Sequence, residues 1–291
     1  VRREVDVIEE ILRVYGYNNV RFRDKLNASI APTSKFEDYK LQNSIGNQLA
    51  SLGFFEIMTN SLTTPAYQNL LPKTEENNAV QILNPLSTDL SVMRQSLLFS
   101  GLEAISYNIN RKRNNLKLFE FGKTYHQNGN IRSEIKHLCL LVTGNRTGDS
   151  WTQASKKSDL FYLKSIVDNI LLRLGIPNAR TVVQKNSIFA EGLSLKLENE
   201  SLVSIGTIKN SILMEFGIKQ EVLFADFHWD LILNTLNRKE VVYGEIPRFP
   251  EVTRDLALLL DSAVTYQEIY DLAYGTEKKF LKNINLFDVY T

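Results

Sequence analysis

The sequence predicts an α+β fold with a mostly antiparallel sheet, and two observations predict this class. Five segments place apolar residues at the three- and four-residue spacing of an amphipathic helix, most of them beside a local start or stop signal. Between and after these segments lie short runs of branched and aromatic residues joined by polar turns. Strands joined in this way pair in the antiparallel sense, whereas parallel strands need long helical crossovers.

The predicted helices are marked by capping patterns at their starts and by glycines at their ends. Asp6 with Glu9, and Ser34 with Glu37, have the spacing of a capping box, in which two residues satisfy the first free amide groups of a helix. A glycine follows each of these two helices, as expected at a helix C-terminus. The five predicted helices comprise residues 6–15, 34–52, 96–111, 159–174 and 265–281.

The predicted strands are short, and polar residues at 199–200 are expected to form a hairpin turn between two of them. Pro247 and Pro250 mark a linker or an edge before a final β-α-β unit, which is about half of a ferredoxin-like domain. The predicted strands comprise residues 54–62, 80–83, 116–125, 136–144, 180–185, 192–198, 201–209, 222–233, 256–261 and 284–290.

Composition limits the class of protein. With 291 residues and 43% hydrophobic content, the chain is expected to bury a large core in one or two domains. The 34 basic and 33 acidic residues nearly balance, so the overall charge does not demand a polyanionic partner. Cys139 is the single cysteine, which favours a reducing, cytoplasmic compartment. No apolar run approaches the roughly 20 residues of a membrane-spanning helix, so no membrane partner is predicted. Because Val1 stands directly inside secondary structure, the chain is expected to be part of a longer protein.

Common enzyme motifs are absent from the sequence. There is no P-loop, no G-x-G pair of a dinucleotide-binding turn, no H-E-x-x-H and no G-x-S-x-G. His126, His137 and His228 are far apart in sequence, so a zinc site or a hydrolase triad is disfavoured. His228 is predicted to be a packing histidine. The basic run 111–113 is predicted to be a solvated turn, with contact to RNA phosphates as the alternative.

Three carboxylates, Asp6, Glu9 and Glu10, crowd the start of the first predicted helix. The spacing favours Asp6 as an N-cap with Glu9 as its capping-box partner. The alternative is a metal site, because positions i, i+3 and i+4 share one helix face and carboxylate oxygens bind hard cations such as Mg²⁺. Spacing alone favours the cap.

Three stretches, in this order, resemble one family, the β subunit of bacterial phenylalanyl-tRNA synthetase. The first, EVDVIEEILRVYGYNN, resembles the end of the B5 domain of that subunit, which we place at residues 1–29. The second is NPLSTDLSVMRQSLLFSGLEAISYNINR with LKLFEFGKTY, Trp151 and DLFYLKSIVDNIL, and it resembles a synthetase-like module at 30–244. The third, IPRFPEVTRDLALLLD, resembles the start of a ferredoxin-like anticodon-binding domain, at 245–291.

The resemblance implies a class II aminoacyl-tRNA synthetase fold, an antiparallel sheet flanked by helices, in which the helix at 34–52 and the strand after it form the interface motif. Catalytic members usually have a proline near the end of that strand, where Asn60 stands here. They also hold ATP with an arginine of a later glycine-rich segment, G-x-G-x-x-R, which this sequence lacks. Arg94 is therefore predicted to be a structural ion-pair or interface residue, and the module to be non-catalytic.

The resemblance also implies partners and cofactors. In the family, a catalytic α subunit binds phenylalanine and ATP, and the β subunit supports it in an α2β2 assembly that charges tRNA(Phe). Asp6, Glu9 and Glu10 match the last three positions of the family's magnesium pattern D-x5-D-x-x-E-E, whose first aspartate would precede Val1. With this resemblance, Mg²⁺ binding in the full assembly becomes as favoured as its absence. For this chain alone, capping of the helix stays favoured.

The anticodon-binding resemblance implies contacts to tRNA from the last segment. Arg248, Arg254, Lys278 and Lys279 are candidates for phosphate contacts, with solvated charges as the alternative. Two other functions remain open. One is an independent class II ATP-dependent ligase, which the missing arginine segment disfavours, and the other is a free-standing RNA-binding module, which the near-neutral charge disfavours.

Overall fold

The structure is a computed structural model that describes residues 3–21, 25, 28–29, 37–71, 79–148, 150–177, 179–238, 243 and 249–290. The chain divides into two compact units, Val1–Lys35 and Phe36–Thr291. The domain boundaries expected from the sequence, at residues 29/30 and 244/245, stay predictions.

The first unit contains helix α1, Glu4–Tyr15, followed by a 3₁₀ turn at Tyr17–Asn19. The helix was predicted, but the assignment of Asp6 as its N-cap is wrong. The helix begins two residues earlier because Arg3 adopts the extended cap conformation and its carbonyl already accepts the amide of Asp6 at 3.1 Å. No residue of α1 is buried, so its apolar stripe, predicted to be buried, faces outward in the described part of this unit.

The second unit contains six helices and nine strands in its described residues. Helices α2 to α7 are Asp38–Ser51, Leu98–Ile109, Leu160–Arg173, Asn210–Glu215, Trp229–Arg238 and Tyr266–Thr276. Strands β1 to β9 are Phe55–Glu56, Leu62–Thr63, Val92–Met93, Leu116–Asn128, Ile131–Thr143, Arg180–Val183, Phe189–Leu197, Glu200–Ile208 and Val222–His228. Two further 3₁₀ turns lie at Pro65–Leu70 and Thr88–Leu90.

A seven-stranded sheet organises this unit in the order β1-β4-β5-β9-β8-β7-β6. Only the β1–β4 pair is parallel, and the other five pairs are antiparallel, which confirms the predicted antiparallel class. The small β2–β3 sheet is separate. Strands β4 and β5, of 13 residues each, form a hairpin whose turn contains Gly129 in the left-handed region.

Side chains alternate between the two faces of the sheet, and each face carries its own core. Helices α2, α4 and α6 cover one face, where Phe119, Leu138 and Leu140 are buried. Helices α3 and α5 cover part of the other face, where Leu118 and Leu141 are buried. The buried positions of α2 and α4 follow the predicted helical stripes, which explains why sequence periodicity located them.

Several predicted strands differ from the structure. The segment 54–62 forms strand only at Phe55–Glu56 and at Leu62, and the segment 80–83 contributes one isolated bridge, Gln81 to Val92. The long strand predicted at 222–233 ends at His228, and α6 begins at the next residue. The hairpin turn lies at 198–199, one residue before its predicted place, with Glu198 in the left-handed region. The short helix α5 was not predicted.

The capping of the second helix also differs from its prediction. Helix α2 begins at Asp38 with Glu37 as N-cap, and Glu37 makes no side-chain cap hydrogen bond. Ser34, its predicted partner, lies outside the described residues. By contrast, Asp159 does cap α4, since its carboxylate accepts the amide of Tyr162 at 2.7 Å.

The last segment, residues 249–290, has one regular element, helix α7. The Thr265–Glu268 capping box starts this helix. The tilted rings of Tyr266, Tyr270 and Tyr274 pack along one side of it, with centroids 6.2 and 4.5 Å apart. The strands predicted at 256–261 and 284–290 are not formed, because neither segment has a ladder partner among the described residues.

Candidate functional site

The face of the sheet that bears α3 changes from apolar to polar along the strands. Glu120, Cys139 and Asp226 lie opposite one another across β4, β5 and β9. Two residues further along each strand, Gly122, His137 and His228 are opposite one another in the same way. Because side chains two residues apart share a face, these groups line one surface. We call it the polar sheet face, comprising Glu120, Thr124, His126, His137, Asp226 and His228.

The structure brings the three histidines together, which the sequence analysis missed. His126 Nε2 and His137 Nε2 each lie 3.0 Å from the hydroxyl oxygen of Thr124. His137 Nδ1 donates to Asp226 Oδ1 at 2.8 Å, and the rings of His137 and His228 are 5.6 Å apart. His228 Nδ1 accepts the amide of Leu231 at 3.3 Å, so the prediction of a packing histidine is confirmed. Only strand register reveals this cluster.

The environment shifts the histidine pKa values in opposite directions. Burial alone lowers the pKa of His137, but the charge of Asp226, its hydrogen bond and the charge of Asp230 outweigh burial, so this pKa is raised. Burial, followed by the positive charge of His137, lowers the pKa of His126. The same two causes lower the pKa of His228. In the pH range between the lowered and the raised pKa values, His137 is therefore protonated beside two neutral imidazoles.

We expect the three histidines to give separate NMR titration curves. His137 should titrate above, and His126 and His228 below, the unperturbed value near 6.5. The stability that His137 contributes is present below its unfolded-state pKa and is lost as pH rises through its higher folded-state pKa. In Asp226→Asn, the His137 curve should move to lower pH because the largest charge that opposes burial is then removed and only Asp230 remains. An unmoved curve in that variant would contradict the assignment.

A buried ion pair forms one border of the polar sheet face. Arg94, 5% exposed, places Nη1 2.8 Å from Oε1 of Glu120, which is 2% exposed. Arg94 also donates to the carbonyl of Lys123 at 2.9 Å and to the hydroxyl of Thr59 at 2.7 Å. A Cβ on Gly122 would stand 2.5 Å from the guanidinium, so the glycine allows this close approach. Arg94 is thus a structural ion-pair residue, as predicted.

Asn60 adjoins this ion pair, at the position where the resemblance expects a proline. Its side-chain oxygen accepts the amide of Leu62 at 3.0 Å. The side chain of Asn60 thereby fixes the local turn between β1 and β2, which explains why a polar residue suits this position.

The junction of β9 and α6 is filled by a bulky side chain. Trp229 is fully buried and donates from Nε1 to Asp38 Oδ1 at 2.7 Å. Lys136 Nζ lies 2.7 Å from Asp38 Oδ2, and Asp230 accepts the amide of Lys136 at 2.8 Å. Burial raises the pKa of Asp38, but the bonds from Lys136, Trp229 and Gln42 prevail and lower it. The junction therefore joins α6 to α2 and β5.

The three carboxylates of α1 do not form a metal site by themselves. Arg3 Nη2 lies 3.3 Å from Asp6 Oδ1, and Arg13 Nη2 lies 3.4 Å from Glu10 Oε2. Glu9 is exposed. Among the residues that the structure describes, no three His, Cys, Asp or Glu side chains are grouped so that they could hold a metal ion. The helix thus presents two carboxylates already paired with arginines, and Mg²⁺ binding in a larger assembly stays a prediction.

The candidate RNA contacts of the last segment are exposed cations. Arg254, Lys278 and Lys279 are all exposed, and Arg248 lies outside the described residues. Lys279 Nζ lies 5.3 Å from the ring centroid of Phe280. These residues have the accessibility that a phosphate contact needs, and their role stays a prediction.

Two solved structures share this architecture. Both are pyrrolysyl-tRNA synthetases of Desulfitobacterium hafniense. One has a TM-score of 0.53 at 15% identity and covers 68% of each chain. The other has a TM-score of 0.54 at 14% identity and covers 79% of this chain and 74% of its own. The sheet with its flanking helices therefore defines the fold of a class II tRNA synthetase.

Sequence comparison identifies the family. The family model described as "Phenylalanyl tRNA synthetase beta chain CLM domain" matches residues 7–229, and "Ferredoxin-fold anticodon binding domain" matches 247–291. The chain is 44% identical to the phenylalanine–tRNA ligase β subunit of Bacteroides thetaiotaomicron and 40% identical to that of Porphyromonas gingivalis. The chain belongs to the phenylalanyl-tRNA synthetase β-chain family. All of the chain is matched, and it spans 37% of the length of each of these relatives.

Proposed function

We propose that this chain is a non-catalytic segment of a phenylalanine–tRNA ligase β subunit. In this proposal it supports a catalytic α subunit, within an α2β2 assembly in the cytoplasm, during ATP-dependent attachment of phenylalanine to tRNA(Phe). Membership of the family over the whole chain carries the proposal. No helix in the described part of the chain has the length and apolar character needed to cross a membrane.

The polar sheet face supports the non-catalytic part of the proposal. Arg94 and Glu120 are bound to each other and to neighbouring backbone groups. His137 uses both ring nitrogens within the protein, one toward Asp226 and one toward Thr124. Groups that satisfy one another and are held by a folded sheet are typical of structural networks. A catalytic group, in contrast, must reach a reacting atom of the substrate.

Exposed apolar side chains at the β1 edge support the proposal that a partner subunit binds there. The residues involved are Phe55, at 70% exposure, and Met58, at 95% exposure, and both follow the helix that resembles the class II interface motif. Large obligate interfaces bury apolar surface over roughly 2,000 to 5,000 Å² or more. We assign the α subunit to this edge. The exposed cations of the last segment, Arg254, Lys278 and Lys279, are assigned to tRNA.

We further propose that Asp6, Glu9 and Glu10 contribute to a Mg²⁺ site only when the remaining ligands come from the rest of the assembly. The arginine partners of Asp6 and Glu10 would have to move away for both carboxylates to reach a cation. The test is Mn²⁺ binding, followed by electron paramagnetic resonance, in the assembly of full-length subunits. Glu9→Gln with Glu10→Gln should weaken Mn²⁺ binding, and an unchanged affinity would remove these residues from the site.

The main experiment is purification of the full-length parent chain with whatever protein it retains from its own cells. We expect an equimolar catalytic subunit, with phenylalanine charging of tRNA in the pair and no ATP–pyrophosphate exchange by the chain alone. Exchange by the isolated chain would instead establish an independent ligase. A chain that purifies without a partner and binds tRNA tightly, with strong salt dependence, would establish a free-standing RNA-binding module.

A further inference from the structure

Basic residues gather at the end of the sheet where β4 begins and β5 ends. The turn 111–117 before and into β4 contains four basic residues, and the loop 146–157 after β5 contains three. The only acidic residue in these two segments is Asp149, which lies outside the described residues. We call this surface the basic sheet end; it comprises Arg111, Lys112, Arg113, Lys117, Arg146, Trp151, Lys156 and Tyr162.

Hydrogen bonds between side chains and backbone hold the two segments side by side. The amide of Asn145 donates to the side chain of Asn115 at 2.8 Å, and Gln220 donates to the carbonyl of Asn114 at 2.7 Å. Gly144 has a φ of +80°, and a Cβ there would stand 2.3 Å from the carbonyl oxygen of Asn114. The close packing requires glycine at this position, so the turn and the loop form one fixed surface.

The loop itself is ordered by hydrogen bonds of its own backbone. Arg146 donates its amide to the carbonyl of Lys156 at 2.8 Å, and Ser158 donates its amide to the carbonyl of Gly144 at 3.0 Å. The cations of this loop therefore stand on a fixed frame, which lowers the entropy that a bound ligand would have to remove.

Most of these cations are not neutralised. Lys157 pairs with Glu221 at 2.8 Å. Arg111, Lys112, Arg113, Lys117, Arg146 and Lys156 form no ion pair with any other described residue. Uncompensated like charges on one surface repel one another, and an anionic ligand that spans them removes this repulsion.

Aromatic rings are interleaved with these cations. The Tyr162 ring centroid lies 5.3 Å from Lys117 Nζ and 5.2 Å from Arg146 Cζ, and Arg111 Cζ lies 3.4 Å from the ring centroid of Tyr107. Trp151 is 98% exposed at the loop that carries Arg146 and Lys156. An exposed indole on a loop that carries cations is suited to stack on an unpaired base while the cations contact phosphates.

This combination favours RNA over an anionic membrane or an acidic protein. Membrane-surface contacts of basic proteins typically use an amphipathic helix with a long apolar side, whereas these cations stand on a turn and a loop. A stack of planar rings and cations matches the alternating bases and phosphates of a nucleic acid. From sequence alone, 111–113 is predicted to be a solvated turn; the loop that lies beside it in the structure is about 30 residues further along the chain.

We infer that the basic sheet end binds the tRNA backbone, at a site separate from the anticodon-binding segment; the identity of the RNA rests on the proposed function. The test uses the assembly of the full-length parent chain with its catalytic partner and an unmodified transcript of tRNA(Phe). Arg146→Ala with Lys156→Ala should weaken tRNA binding about fivefold or more. The slope of log affinity against log salt should become shallower by about one to two units, because two phosphate contacts are lost.

The matched control is Arg132→Ala with Lys185→Ala, two exposed cations at the β4–β5 hairpin turn and beyond β6. This pair should leave both the affinity and the salt slope unchanged. Trp151→Ala alone should weaken tRNA binding with an unchanged salt slope, since it removes stacking and no charge.

Equal affinity and slope in wild type and the Arg146/Lys156 variant would overturn the inference. So would a variant that loses binding to anionic phospholipid vesicles and keeps its affinity for tRNA. Phenylalanine-dependent ATP–pyrophosphate exchange should be normal in the variant, because that reaction needs no tRNA contact. Failure of the wild-type assembly to charge tRNA would overturn the proposed function instead, so the two failures are distinguishable.

Discussion

Replacing Glu120 with alanine is expected to lower the free energy of unfolding by about 3–5 kcal/mol, the range for breaking a buried ion pair by removing one partner. The loss arises because Arg94 stays buried, with no carboxylate 2.8 Å from its guanidinium. Equilibrium urea denaturation of the chain, followed by circular dichroism, measures the change. Arg94→Met with Glu120→Gln should be clearly more stable than Glu120→Ala, since no charge is then left unpaired.

The matched control for this prediction is the exposed pair of Lys123 and Glu134, which lie 2.7 Å apart on β4 and β5, two of the three strands that carry the polar sheet face. Glu134→Ala should cost about 1 kcal/mol or less, because solvent screens an exposed pair. If Glu120→Ala costs no more than Glu134→Ala, the Arg94 ion pair does not hold this face together.

The second large effect is expected at Trp229. Trp229→Ala should cost about 3–5 kcal/mol, because it leaves a cavity in a fully buried site. The indole packs edge-on against Phe121, with ring centroids 5.1 Å apart, and bonds to Asp38 at the start of α2. Trp229→Phe should cost less, about 1–3 kcal/mol, since it keeps most of the apolar volume and loses the hydrogen bond to a charged group.

Trp151 provides the control for this measurement, since the chain has two tryptophans and Trp151 is almost fully exposed. Trp151→Ala should change stability by about 0.5 kcal/mol or less. Helix α2 resembles the interface helix of the family, so Trp229→Ala should also reduce recovery of the proposed α subunit in a pull-down. Normal recovery together with a large loss of stability would separate the packing role of Trp229 from subunit assembly.

Local patterns located most of the elements. Helices α2, α3 and α4 were predicted because their buried side chains recur with helical periodicity, and the long strands were predicted because branched and aromatic residues cluster there. The start of α6 was missed because the apolar run of β9 continues into the helix without a break in composition. The last two strands failed for another reason, since a strand depends on a partner that sequence does not supply.

The candidate sites likewise divide into one that the sequence predicted and others that it did not. The structural role of Arg94 followed from the absence of a glycine-rich arginine segment, and its contact with Glu120 confirms it. The grouping of His126, His137 and His228 was not predicted, because it depends on the register of three strands distant in sequence. The basic sheet end was likewise hidden, since its two segments meet only where β4 begins and β5 ends.

The sequence by itself determined the α+β class, the antiparallel sheet, the family and the lack of common catalytic motifs, because these depend on local periodicity and on short motifs. Tertiary structure alone decided which polar groups face one another. It placed the ring of His137 beside Asp226, buried the charges of Arg94 and Glu120 together, and left Trp151 exposed on the loop that carries Arg146 and Lys156. The physical reason is that charge, burial and hydrogen bonding depend on distances in space, which strand register and helix packing set.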